Sequence, residues 1–314
     1  MAATNIKPAN LRQLSQKEEL FTPGHRLCPG CAEGTVVRQV LKATDYPIVV
    51  ANATGCLEVT SSLYPFSNWR VPWLHSAFEN TAASIGGVEA AYKSLRKQGK
   101  IPDEEIRFLA FGGDGGTYDI GLQALSGALE RGHRFVYVCL DNGAYMNTGI
   151  QRSGATPFGA WTTTSPAGKA MAGKSQRRKD LTAIVAAHGI PYVAQASPSH
   201  WRDLITKAQK AFEANGPAFI NVITPCVPGW GIGANQTIEM ARQAVETCYW
   251  PLYEIEDGKL RVTVKPREKK PVTDWLKGQV RFRHLFVPGN EWMLEQIQAD
   301  IDARWEDLLK RSEG

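Results

Sequence analysis

Short unbroken apolar runs recur along this chain, and between them apolar residues return at every third or fourth position. The runs at 48–51, 108–111, 135–140, 191–194 and 218–224 read as strands buried on both faces. Helical spacing places Val36, Val37, Val40 and Leu41 on one face, and Ile120, Leu122, Leu125, Ala128 and Leu129 on another. Further helical stretches read at 78–95, 181–187, 200–214 and 237–249. Strand alternating with helix predicts an α/β fold, a doubly wound and mostly parallel sheet. From about residue 250 the rhythm changes. A hairpin-like Glu256-Asp-Gly-Lys is followed by a charged tail that carries Trp275, Trp292 and Trp305. The expected organisation is a loosely ordered arm at 1–20, a body at 21–249, and an extension at 250–314 that packs on a neighbouring subunit.

The most informative unit spans 108–147. An apolar strand runs into Gly112-Gly113-Asp114-Gly115-Gly116, a helix follows, and a second strand ends at Asp141-Asn142-Gly143. Both polar clusters therefore fall at carboxyl ends of strands, the edge where open α/β sheets bind ligands. Glycines let backbone approach a phosphate, and N–H groups at a helix start favour anions. Asp114 adds negative charge, which a phosphate alone would not call for. It makes sense if a hard cation lies between carboxylate and phosphate, as Mg²⁺ does. Asn142 can supply a second oxygen and the Ala144 carbonyl a third.

Six cysteines change the picture next: 28, 31, 56, 139, 226 and 248. Cys28, Cys31, Cys56 and Cys226 each lie near a strand end or helix start, flanked by Gly or Pro. Cys139 falls inside an apolar strand and Cys248 in a helical stretch, so both read as core thiols. Four thiolates can hold structural zinc or an iron–sulfur cluster, and spacing leaves the two open. A segment of high aromatic content, 61–78, packs on the core or faces another chain. The loop at 148–174 is long enough to be functional.

Charge excludes more than it suggests. The net charge is +5 over 314 residues, and the basic runs lack the aromatic interleaving of single-strand nucleic-acid binders. The cluster at 174–179 reads as a solvated face or as a docking patch for an acidic carrier. No run approaches a membrane span and the first twenty residues carry no apolar signal core, so the expectation is a cytoplasmic chain with no nucleic acid and no membrane as partner.

Gly113-Asp114-Gly115 followed at a distance by Asn142 resembles the thiamine diphosphate motif. With GHRLCPGCAEG, ANATGCLEVT, VPWLHSAFEN, DNGAYMNTGIQRS and TPFGAWTTTSPAGK, the whole chain is similar to the β subunit of 2-oxoacid:ferredoxin oxidoreductases, closest to the pyruvate and oxalate branches, with oxalate favoured. The resemblance implies a sheet of thiamine-diphosphate-binding type. It implies that the subunit holds the diphosphate half of the cofactor with Mg²⁺ on Asp114, Asn142 and the Ala144 carbonyl. Gly113, Gly115, Gly116 and Asn147 would lie against the cofactor, with Glu33 and Phe78 near it. It places a [4Fe–4S] cluster on Cys28, Cys31, Cys56 and Cys226. The implied reaction is oxidative decarboxylation of a small 2-oxoacid, with electrons leaving singly to ferredoxin. Glu33, Glu58 and Glu79 are candidate activating carboxylates in this chain, but the family pattern puts that Glu on an α subunit that completes the site. γ and ferredoxin-like δ subunits are the other implied partners. The alternative is a non-redox thiamine decarboxylase or synthase subunit with structural zinc on the cysteines.

Overall fold

The computed structural model describes residue 6 and residues 10–313. In chain order the elements are α1 (Leu11–Gln16), α2 (Ala32–Leu41), β1 (Ile48–Ala53), α3 (Cys56–Ser61), β2 (Trp73–Ser76), α4 (Thr81–Lys97), β3 (Arg107–Gly113), α5 (Leu122–Glu130) and β4 (Val136–Asp141). There follow α6 (Leu181–Ala186), β5 (Tyr192–Ala196), α7 (Trp201–Glu213), β6 (Ala218–Ile223), α8 (Val227–Trp230), α9 (Thr237–Glu246), β7 (Leu252–Glu256), β8 (Lys259–Val264), α10 (Val272–Lys277) and α11 (Glu291–Glu313). The eight strands form one sheet in the order β2-β1-β3-β4-β6-β5-β7-β8. The first six run parallel; β7 and β8 are antiparallel.

The expected strands are all present, because apolar runs in a sheet covered on both faces leave no other place to bury their side chains. Leu109, Phe111, Val138 and Ile220 face one side with Val36, Val37 and Val40 of α2 and the apolar stripe of α7. Ala110, Tyr137, Cys139 and Phe219 face the other, beneath α4, α5 and the C-terminal elements. Chain order reverses between β1 and β3, since β2 lies outside β1 and the chain crosses back to β3. That switch point is where such sheets open a crevice at their carboxyl edge.

Four details depart from the sequence pattern. Part of the supposed arm is helical: α1 buries Leu14, while residues 1–5 and 7–9 lie outside the described residues. The helix after β3 begins as a wide π-type turn over Gly115–Ile120, closed by Gly121 N–H donating to the Gly116 carbonyl at 2.6 Å. The extra residue rotates Ile120 off the apolar stripe, leaving it 57 % exposed. Cys248 is buried as expected but sits beyond α9, with φ 56°. The aromatic segment divides: Trp69 is buried, whereas Tyr64 is 97 % exposed and Phe66 77 %.

Residues 250–313 pack onto the body. β7 pairs with β5, and Trp275 is fully buried, stacked on Tyr249 at 4.0 Å and edge-on to Trp230 at 5.7 Å. Its indole N–H donates to the Met240 carbonyl at 3.1 Å. Trp305 is also buried, and Trp292 is exposed. Among the described residues no helix is long and apolar enough to cross a membrane.

Trp275→Ala removes that stack and leaves a cavity under the extension. We expect a loss of roughly 3–5 kcal/mol in urea-induced unfolding. A single transition should persist for the body and extension together.

Candidate cofactor and metal site

The carboxyl edge places the strand ends side by side. β1 leads to Gly55-Cys56, β3 to Asp114, β4 to Asn142, and β6 to Cys226. Between them opens a cleft of about 150 Å³ lined by Glu33, Phe78, Gly113, Asp114, Gly115, Asn142, Ala144 and Asn147, with Cys56 at one side. Sequence reasoning therefore named eight residues that the fold brings to one cavity. Gly116 lies behind it, with its Cα against the Phe78 carbonyl. The volume falls below the roughly 300–1,000 Å³ of a cleft that encloses a whole small molecule.

Gly115 is required by packing. A Cβ there would stand 2.4 Å from the Tyr145 ring, which lines the cleft opposite Phe78. Asp114 is 1 % exposed. Burial first, then the neighbouring Asp141, pushes its carboxyl well above the ordinary range. Ser153 Oγ–H donates to its Oδ2 at 2.5 Å, and the Asn142 N–H donates to its Oδ1 at 3.2 Å.

The orientation of Asn142 bears most directly on a cation. Its side-chain oxygen lies 2.8 Å from the Ala144 carbonyl oxygen and 2.9 Å from Asp114 Oδ1. Turning the amide would convert both contacts to hydrogen bonds, and such orientations are assigned from their surroundings. With the oxygen inward, the Asn142 oxygen stands in short contact with two others, the Ala144 carbonyl oxygen and Asp114 Oδ1. Their spacing matches the edge of about 2.9 Å between adjacent ligands of an octahedral Mg²⁺ with bonds of about 2.0–2.1 Å. The donor set thus fits a hard divalent cation, and the residues are those the sequence picked out.

The four cysteines also meet. Gly30, with φ +78°, packs the Cys28–Cys31 turn so tightly that a Cβ would stand 2.0 Å from the Ala234 carbonyl oxygen, in the loop that follows Cys226 and α8. Burial raises the Cys31 and Cys56 thiols, and Glu33 and the other cysteines raise them further. Cys226 is pushed up to about 12, chiefly by burial, although the Gly229 N–H donates to its Sγ at 3.4 Å. The raised thiols of Cys31, Cys56 and Cys226, with Cys28 beside them, suit a cationic centre that accepts thiolates. Among the described residues, no three His, Cys, Asp or Glu side chains stand close enough to share a single metal ion.

Of the candidate carboxylates only Glu33 enters the cleft. Glu58 is turned toward Ser62, and Glu79 is exposed. Glu33 is 4 % exposed, accepts from Asn142 Nδ2 at 3.3 Å, and leaves Oε2 without a partner. Sequence reasoning missed Asn52, Tyr145 and Ser153. Asn52, at the end of β1, lines the cleft with its amide nitrogen unpartnered; a polar residue closing an apolar run was the available signal.

Residues 53–222 match the family described as thiamine pyrophosphate enzyme, C-terminal TPP binding domain. Pyruvate synthase subunit PorB of Thermotoga maritima is 52% identical over 98% of this chain and 97% of its own length. The chain belongs to the β-subunit family of 2-oxoacid:ferredoxin oxidoreductases. PorB of Methanocaldococcus jannaschii is 54% identical over 92% of this chain and 96% of its own. A second branch of the family, ketoisovalerate oxidoreductase subunit VorB of Pyrococcus abyssi, is 43% identical over 94% of each chain. A solved 2-oxoglutarate:ferredoxin oxidoreductase from Magnetococcus marinus shares the fold, with TM-score 0.55 and 20% identity over 75% of this chain and 82% of that one.

Burial lifts the Glu33 carboxyl from 4.5 to about 7, against the bond from Asn142. The folded state then holds a proton that the unfolded chain releases, so folding grows costlier as pH rises from about 4.5 to 7. Glu33→Gln should stabilise the isolated cofactor-free chain by up to about 3 kcal/mol at pH 8 and by little at pH 4. Denaturant unfolding at the two pH values checks this, and equal gains at both would contradict it.

Proposed function

We propose that this subunit holds the diphosphate half of thiamine diphosphate through Mg²⁺ on Asp114, Asn142 and the Ala144 carbonyl. We propose further that Cys28, Cys31, Cys56 and Cys226 hold one [4Fe–4S] cluster, and that the assembled enzyme oxidatively decarboxylates pyruvate with one-electron transfer to ferredoxin. The convergence of the Asp114, Asn142 and Ala144 oxygens carries the reading. Thiamine diphosphate, when bound, supplies the electron sink for loss of CO₂ from a 2-oxoacid.

This chain's own contribution is positioning and electrostatics. Gly113 leaves backbone open to a diphosphate, Gly115 lets Tyr145 pack against the same turn, and Asn147 stands in the same wall. Phe78 and Tyr145 narrow the cleft and exclude water. Glu33, between cleft and thiols, offers a buried carboxyl near neutrality. The activating carboxylate and the rest of the pocket belong to an α subunit, with γ and ferredoxin-like δ subunits completing a cytoplasmic complex. The 250–314 extension, through surfaces such as that of Trp292, packs on those partners.

The relatives named pyruvate synthase favour pyruvate over oxalate as substrate. Oxalate would give only CO₂ and electrons, so coenzyme A dependence separates the two.

The test is anaerobic purification of the complex from its host, with an absorption spectrum and iron, sulfide and zinc analysis. We expect a brown, bleachable chromophore with about four irons on this chain, and ferredoxin reduction that needs both pyruvate and coenzyme A. The isolated chain should be inactive. Stoichiometric zinc without iron would move the reading to a non-redox thiamine enzyme, and coenzyme A-independent turnover of oxalate to the oxalate branch. Asp114→Asn in the complex should weaken Mg²⁺ and cofactor binding together, by at least about tenfold in calorimetry.

A further inference from the structure

The loop at 153–156 carries none of the cation's ligands, yet it touches both segments that do. Ser153 Oγ–H donates to Asp114 Oδ2 at 2.5 Å, which turns the other carboxylate oxygen toward Asn142 and Ala144. Thr156 Oγ1–H donates to the Gly143 carbonyl at 2.7 Å, in the turn between Asn142 and Ala144. The two hydroxyl residues are tied to each other, since the Ser153 N–H donates to Thr156 Oγ1 at 2.9 Å. Ser153 and Thr156 are 2 % and 0 % exposed.

A buried lysine locks this loop. Lys174 is 2 % exposed, and the partners of its ammonium among the described residues are backbone carbonyls. Its ammonium donates to three backbone carbonyls: Thr156 at 2.6 Å, Ser153 at 3.3 Å and Gly154 at 3.5 Å. An ammonium has three donors, so its hydrogen-bonding capacity is filled by one turn of chain. Burial, with Arg152 and Arg178 nearby, pushes it down to about 8. Burying a cation against carbonyls alone is costly. A solvent-facing lysine at this position would avoid that cost.

We propose that Ser153, Thr156 and Lys174 form a clamp that presets the cation site, holding Asp114 and the Asn142–Ala144 turn at ligating separation before the cation arrives. These are positioning residues; none contacts the cation. The inference rests on the proposed Mg²⁺ site. Its physical basis is that partners behind metal ligands fix their orientation, and that losing one commonly costs about 10–100-fold in metal affinity.

The test uses the assembled complex, stripped of Mg²⁺, with thiamine diphosphate present. Mn²⁺ serves as the probe, because it also takes octahedral oxygen sites and its free form is read by electron paramagnetic resonance. Ser153→Ala and Thr156→Val should each weaken Mn²⁺ binding by about tenfold or more, and Lys174→Met by at least as much. Ser153→Thr, which restores the hydroxyl, should recover most of the affinity. Asp114→Asn serves as the reference. If it loses Mn²⁺ while Ser153→Ala and Thr156→Val bind as wild type, the clamp is wrong and the metal site stands. If Asp114→Asn itself binds as wild type, the site assignment fails and the clamp with it. Should Lys174→Met not fold, the two hydroxyl variants alone decide the question.

Discussion

The edge of the sheet is governed by two buried carboxylates and one guanidinium. Asp114 and Asp141 end adjacent strands, at 1 % and 2 % exposure. Arg178 pairs with Asp141 at 2.6 Å, with Tyr118 hydrogen-bonded to the same carboxylate at 2.5 Å. That settles Asp141. Asp114 has only the Ser153 hydroxyl and the Asn142 N–H, and among the described residues no cation pairs with it. An uncompensated buried carboxylate costs several kcal/mol, so it stays protonated or acquires a positive partner. The neighbouring oxygens of Asn142 and Ala144 would suit, as the proposed partner, a small cation with oxygen affinity. Cleft, loops and glycines are arranged around that deficit.

The same edge brings the thiols to the cleft without any long-range sequence signal. Parallel strands put every carboxyl end on one side, so Cys56 after β1 and Cys226 after β6 share one edge although they lie 170 positions apart in the chain. The Cys28–Cys31 turn arrives by a different route, packed by Gly30 against the loop after α8. Glu33, two residues on, bonds Asn142 on one side and raises the thiols on the other. One buried carboxyl thus stands between the cleft and the thiols. The proposed cluster and the proposed cofactor site would need this proximity.

Much of the body was legible because burial on both faces forces uninterrupted apolar runs, and few other contexts tolerate them. β3 and β4 could be read to within a residue or two for that reason. The turn after β3 could not. Ile120 fits the helical stripe by spacing, and only the π-type turn at Gly115–Ile120 rotates it into solvent. The extension was read as separate because its rhythm differs. Antiparallel edge strands share the sheet's hydrogen bonding while breaking its βα alternation, as β7 does against β5.

The residues proposed as cation ligands were legible for a local reason. Asp114 and Asn142 each close a strand, and residue type plus position restricts what such groups can do. The groups behind them carried no such mark. Ser153 and Thr156 look like ordinary loop polar residues, and Lys174 like one member of a solvated basic run. Its burial comes from Gly159, whose N–H donates to the Lys174 carbonyl, and from Gly173, pressed against Gly159 and Ala160 so closely that a Cβ would lie 2.5 Å from a carbonyl oxygen. Charge patterning reports the side chain and cannot report that backbone crowding. Ligands are chosen by chemistry, which sequence displays; their supports are chosen by where the chain happens to return, which only the folded molecule displays.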